Sequence, residues 1–92
     1  MIQSFKNAAT LELFEKGKSR QWPGIQSAAK RKLDQIEAAI QLDDLRSPPG
    51  NRLETLQGDR TGQHSIRINR QYRVCFVWQA DGAHEVEITD YH

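Results

Sequence analysis

Three consecutive residues, Asp90, Tyr91 and His92, bring a carboxylate, a phenol and an imidazole together in one short stretch. An imidazole titrates near pH 6.5, so it can give or take a proton at neutral pH, and a neighbouring carboxylate can orient it or accept a proton itself. Arg73 joins this group through strand pairing. Asp81-Gly82 is a hairpin turn signal, and counting outward from it sets Gln79 opposite Ala83 or His84. Arg73 then faces approximately Asp90, give or take about two positions. A guanidinium stays charged and binds phosphate oxygens in a fork, so an arginine beside a strand end bearing Asp, Tyr and His has the makings of a phosphate site. The same residues also fit a polar tail closed by an Asp90–Arg73 salt bridge, and spacing alone does not separate the two readings.

Other chemistry is largely absent. His64, His84 and His92 stand at separations that match no metal-ligand pattern. The one cysteine, Cys75, lies between Val74 and Phe76 and reads as a small core hydrophobe. No glycine-rich phosphate loop opens a helix, and no serine nucleophile motif occurs. Neither a metal nor a cofactor is expected. Charge gives a second lead. The net charge is only +1, yet six basic residues and no acid lie between Lys16 and Lys32, and six arginines stand against Glu54 and Asp59 between Arg46 and Arg73. Such clusters present a basic face to phosphates even on a near-neutral protein, with two solvated faces as the plainer reading.

The elements that position these residues follow from hydrophobic periodicity. A chain of 92 residues is read as one domain, 1–92, large enough for one layer of helices on one sheet. Asn7 is a helix N-cap, Ala8, Leu11 and Phe14 recur at three-residue spacing, and Gly17 closes the helix. Pro23 suits the first turn of a second helix, whose stripe of Ile25, Ala29, Leu33, Ile36 and Ile40 predicts an end near Gln41. Ser47-Pro-Pro-Gly-Asn51 is a turn that no helix or strand crosses. Strands are predicted over 52–57, 63–69, 71–79 and 84–90, the third apolar on both faces as a central strand should be. Residues 1–5 alternate and form a possible short strand. The outcome is an α+β fold, two N-terminal helices packed on an antiparallel sheet. The opening stretch lacks the apolar run of a signal peptide, and the longest apolar run, Val74 to Trp78, is far short of a membrane span, so a reducing cytoplasm is expected.

Several stretches together resemble the HigB-like toxins of the RelE/ParE superfamily, also described as plasmid-maintenance killer proteins. They are Leu56-Gln-Gly-Asp-Arg60, Gly62-Gln-His-Ser-Ile-Arg-Ile-Asn69, Tyr72-Arg-Val-Cys-Phe76 and Glu87-Ile-Thr-Asp-Tyr-His92, with Ile2-Gln-Ser-Phe-Lys6 and Phe14-Glu-Lys-Gly17 in support. The resemblance implies a RelE-like fold and the toxin of a type II toxin–antitoxin system, a metal-independent endoribonuclease that cuts mRNA in the ribosomal A site. It implies the ribosome and mRNA as partners, inhibition by a cognate helix-turn-helix antitoxin, and contact with operator DNA only through that antitoxin. Carried over position by position, the catalytic residues are Arg73, Asp90, Tyr91 and His92; the basic faces read from the charge distribution, including Lys30, Arg31, Arg52 and Arg60, would then meet RNA and the ribosome. The sequence departs from the pattern at Glu54 and Gln57, where a histidine and a lysine stand in well-studied members. That departure keeps open a toxin that binds ribosomes or ribosomal RNA and impairs translation or ribosome maturation with little cleavage. A ParE-like gyrase poison is a further reading, against which the Asp-Tyr-His stretch argues. Trp22 reads either as a cap on the core or as part of a surface for the antitoxin.

Overall fold

A computed structural model of the chain describes residues 1–90. Helix α1 (Ala8–Lys16) starts where the sequence places its cap: the Asn7 side chain accepts from the Thr10 amide at 2.9 Å. It ends at Gly17, whose left-handed backbone (φ 70°) returns an amide to the Leu13 carbonyl. Helix α2 (Gln26–Ala38) is shorter than its apolar stripe predicts. Pro23–Ile25 forms a separate 3-10 turn before it, and Ala39 turns extended after it. Ile40, expected to continue the stripe, is 86% exposed. The cause lies downstream. The Asp44 carboxylate accepts from the amides of Ile40 and Gln41, opening a new turn over Leu42–Arg46 and competing with continuation of the helix.

Four strands, β1 (Glu54–Thr55), β2 (His64–Arg67), β3 (Tyr72–Gln79) and β4 (Gly82–Asp90), form an antiparallel sheet in the order β1-β2-β3-β4. β1 is reduced to two residues because Arg52 is left-handed (φ 47°) before it and the 3-10 turn Gly58–Arg60 follows it. Residues 1–5 make no strand of their own; Ile2 and Phe5 form isolated parallel bridges to Ala83 and Val86. The helices cover one face of the sheet. Leu13, Ala29, Leu33 and Ile36 share a buried cluster with Ile66, Val74, Phe76, Ala83, Val86 and Ile88. Trp22 is buried in that cluster too, which makes it a cap on the core.

The β3–β4 hairpin turns one residue earlier than the dipeptide signal suggests, pairing Gln79 with Gly82. Gly82 (φ 126°) has no alternative, since a Cβ there would lie 2.0 Å from the Met1 carbonyl oxygen. A bulge then shifts the register between Cys75 and Val77, with Glu85 in the left-handed region (φ 51°) opposite it. That extra residue sends Val86 and Ile88 into the core and leaves Glu87 and Thr89 for the other face. It also sets the final register: Arg73 pairs with Thr89, and Tyr72 with Asp90. Among the described residues no helix is long and apolar enough to cross a membrane.

Candidate functional site

Arg73 precedes the core residue Val74 on β3, so strand alternation turns its side chain to the face away from the helices. It is only 6% exposed. A buried cation requires partners, and the described residues supply them from three segments. Nε donates to Ser65 Oγ at 2.8 Å, Nη2 donates to the Arg52 carbonyl at 2.8 Å, and the Glu54 carboxylate lies 3.9 Å from Nη2. The direction of the guanidinium fork is therefore set by β1, β2 and the turn before β1. Arg52 contributes through a backbone conformation that costs a non-glycine residue roughly 1–2 kcal/mol.

A cavity of about 260 Å³ opens beside this guanidinium, lined by Arg52, Glu54, Arg67, Asn69, Arg70 and Arg73. Arg67 is the register partner of Arg73 across β2–β3, and like charges on one rung repel. Its Nε is held by the Asn69 carbonyl at 2.9 Å. The Asn69 side chain accepts from the amides of Gln71 and Tyr72, shaping the tight turn that brings Arg70 to the same cavity. Among the described residues, four guanidiniums against one carboxylate form a site for a polyanion. Their planar forks suit phosphate oxygens in particular.

The predicted residues distribute unevenly around this cavity. Arg73 and Arg52 line it. Asp90 is at the exposed end of β4, one rung beyond Arg73–Thr89, and its carboxylate accepts from Gln71 Nε2 at 3.1 Å. Tyr91 and His92 lie outside the described residues. Arg60 is not on the cavity wall; it is committed to Gln63 (3.1 Å) and to Glu87 (3.5 Å), which also meets Lys6. Lys30 belongs to the helical layer, paired with Asp34 at 2.7 Å and lying 4.7 Å above the Phe14 ring. Arg31 is exposed on α2 and does not line the cavity either. Glu54 does line it, whereas the exposed Gln57 precedes the Gly58–Arg60 turn and does not.

The two other histidines belong elsewhere. His64 lies on the core side of β2 beside Phe76, bonded to Thr55 at 3.2 Å, and burial pushes its pKa below the ordinary value. His84 pairs with Asp81 at 2.6 Å near the hairpin turn, and that bond is the main cause holding the Asp81 carboxyl low. Among the described residues no cluster of three or more His, Cys, Asp or Glu is arranged as a metal site requires. Sequence reasoning missed Arg67 and Arg70 as individual site residues. The signal was present: Arg67, Arg70 and Arg73 recur every three residues across a turn, which a hairpin folds onto one cavity.

A family described as the RelE-like toxin of the type II toxin-antitoxin system HigB matches residues 3–92. The chain belongs to the HigB-like toxin family. Toxin HigB-1 of Vibrio cholerae serotype O1 is 41% identical over 80 residues, which cover 85% of this chain and 84% of that protein. Endoribonuclease HigB of Proteus vulgaris is 31% identical over 98 aligned positions spanning 100% of both. Among solved structures, the YoeB-YefM complex from Staphylococcus aureus has a chain that superposes with a TM-score of 0.62 at 15% identity, covering 100% of this chain and 98% of that one. The YoeB/ParE toxin from Agrobacterium tumefaciens superposes with a TM-score of 0.56 at 17% identity, covering 98% and 99%. At those identities the structures speak for the fold alone. This chain shares with those structures an α+β fold, here two helices on a four-stranded antiparallel sheet.

Proposed function

We propose that this HigB-like toxin is an endoribonuclease that cuts mRNA in the ribosomal A site. The observation that carries the reading is Arg73: a nearly buried guanidinium, aimed by Ser65 and the Arg52 carbonyl, on the wall of a cavity with three further arginines. Asp90 ends the strand beside it, and Tyr91 and His92 follow in the chain.

In the proposed reaction the mRNA 2′-hydroxyl attacks the adjacent phosphorus. An O2′–P bond forms and the P–O5′ bond breaks, leaving a cyclic phosphate and a 5′-hydroxyl. His92 moves the proton between the two oxygens, with Asp90 as proton acceptor or as orienter of the imidazole. Arg73 takes the negative charge that builds on the phosphoryl oxygens, and Arg52, Arg67 and Arg70 hold the neighbouring backbone phosphates. The guanidiniums supply the cationic charge without a metal. Tyr91 stacks on a splayed base. Lys30, Arg31 and Arg60 meet ribosomal RNA, and the ribosome contributes by aligning the reactants. A cognate helix-turn-helix antitoxin restrains the toxin in the cytoplasm, in keeping with the family's place in toxin–antitoxin systems, and links it to operator DNA.

Glu54 favours a second reading. Its carboxylate stands on the cavity wall 3.9 Å from Arg73, where it competes with phosphate for the same cation. If that competition prevails, the toxin binds ribosomal RNA and impairs translation with little cleavage. Both readings meet one experiment: purified toxin added to ribosomes programmed with a defined mRNA, with new 5′ ends mapped by primer extension. Discrete A-site cuts that vanish in Arg73→Ala and His92→Ala support the nuclease; uncut mRNA with translation still inhibited supports the binder. Glu54→Gln should tighten ribosome binding about two- to fivefold, the scale of a partly exposed ion pair.

A further inference from the structure

Asn51 is completely buried although it lies in a turn between two surface segments. Its Nδ2 is within hydrogen-bond distance of three acceptors, Gln35 Oε1 at 2.9 Å, the Leu45 carbonyl at 3.2 Å and the Ser47 carbonyl at 3.3 Å. Its Oδ1 accepts from Lys32 Nζ. Two of these partners, Lys32 and Gln35, belong to α2, on the far side of the sheet from the arginine cavity. The next residue is Arg52, whose left-handed backbone presents its carbonyl to Arg73 Nη2. A continuous set of contacts thus runs from α2 through Asn51 and the Arg52 carbonyl to the guanidinium.

We propose that Asn51 is a positioning residue for the phosphate-binding arginine, clamping the Arg52 carbonyl that orients Arg73 and tying that orientation to α2. Ser65 holds Nε from the sheet, and the Arg52 carbonyl holds Nη2 from the turn. The Arg52 carbonyl is the shortest of the Nη2 contacts to described residues, against 3.5 Å to the Ser65 carbonyl and 3.9 Å to the Glu54 carboxylate. When it shifts, the planar group swings about its Nε–Ser65 bond and the fork loses its fixed aim at the cavity. Small displacements of a group that must meet a transition state cost far more in rate than in affinity. This inference rests on the reading of Arg73 as the group that takes phosphate charge.

The test compares the full-length toxin with its Asn51→Ala, Gln35→Ala and Arg73→Lys variants. In the free protein, the Arg73 Nη2–H resonance, assigned by its loss in Arg73→Lys, reports the Arg52-carbonyl anchor directly. Asn51→Ala should speed its exchange with water by about tenfold or more, and should lower kcat for ribosome-bound mRNA roughly 10- to 100-fold with KM within about twofold. Gln35→Ala, which removes the α2 acceptor alone, should move both quantities in the same direction by less. A folded Asn51→Ala with unchanged Arg73 exchange, or with a rise confined to KM, overturns the proposal. If Asn51→Ala does not fold, unchanged exchange in Gln35→Ala overturns it instead. A parent protein that does not cut mRNA defeats the nuclease reading, while the exchange measurement still decides whether Asn51 positions the guanidinium.

Discussion

Adjacent residues on β3 live under opposite rules. Val74 and Phe76 are fully buried on the helix-covered face, in a cluster with Leu13, Leu33 and Ile36. Arg73 is almost as buried on the other face, yet it is surrounded by Ser65, a carbonyl and a carboxylate. The first face is determined by volume and apolarity, which tolerate many sequences of the right pattern. The second is determined by individual hydrogen bonds, by like charges on one rung and by a left-handed arginine, the last two of which are unfavourable without a purpose. Stability is thus concentrated on one side of a single strand layer, and strain on the other.

The largest expected effect tests the apolar side. Phe76→Ala should cost about 3–5 kcal/mol, a large share of what a domain of this size has, while the folded fraction keeps its Arg73-dependent ribosome binding. Urea denaturation together with binding at low temperature reads both. Loss of binding in parallel with the loss of stability would show that the two faces do not act separately. Arg52→Gly sharpens the contrast from the other side. It relieves roughly 1–2 kcal/mol of left-handed strain and adds about 0.5–1 kcal/mol of unfolded-chain freedom, for a net gain of about 0–1.5 kcal/mol. Removing that guanidinium should meanwhile flatten the salt dependence of ribosome binding by about one phosphate's share. A variant that is both less stable and equally salt-sensitive would remove Arg52 from the site.

The smallest effect lies away from both faces. Hydrogen bonds from the Gln41 amide, and secondly the Ile40 amide, hold the Asp44 carboxyl below the ordinary carboxylate range. A carboxyl with a lowered folded pKa stabilises the fold above its ordinary unfolded value, and the contribution disappears as pH falls through the lowered one. Asp44→Asn should therefore lower Tm slightly at neutral pH and make no difference in strong acid. A Tm difference that persists unchanged across the whole acid range would assign the effect to packing.

Much of the fold was legible because it rests on periodic signals. The Asn7 and Gly17 caps, the α2 stripe as far as Ile36 and the doubly apolar β3 all depend on residues near each other in the chain. The failures have local competitors as their causes. Ile40 fits the helical stripe, but Asp44 four residues on captures its amide. The bulge at Glu85 was hidden because Val86 and Ile88 alternate correctly by themselves; only the longer interval back to Ala83 betrays the extra residue. At the site, Arg73 was legible through the hairpin, and its rung partner Thr89 lies within the range that the turn allowed. Asn51 was read as part of a turn and nothing more, since its partners come from a helix far away in sequence.

The bridges from Ile2 to Ala83 and from Phe5 to Val86 join segments about eighty residues apart in the chain. As the chain leaves a ribosome, residues 2–5 must wait for residues 83–86 before their partners exist, and long-range closures of this kind form late. The Gly82 contact with Met1 is subject to the same delay. Closure of that edge of the sheet therefore follows synthesis of the helices and of the β2–β3 hairpin.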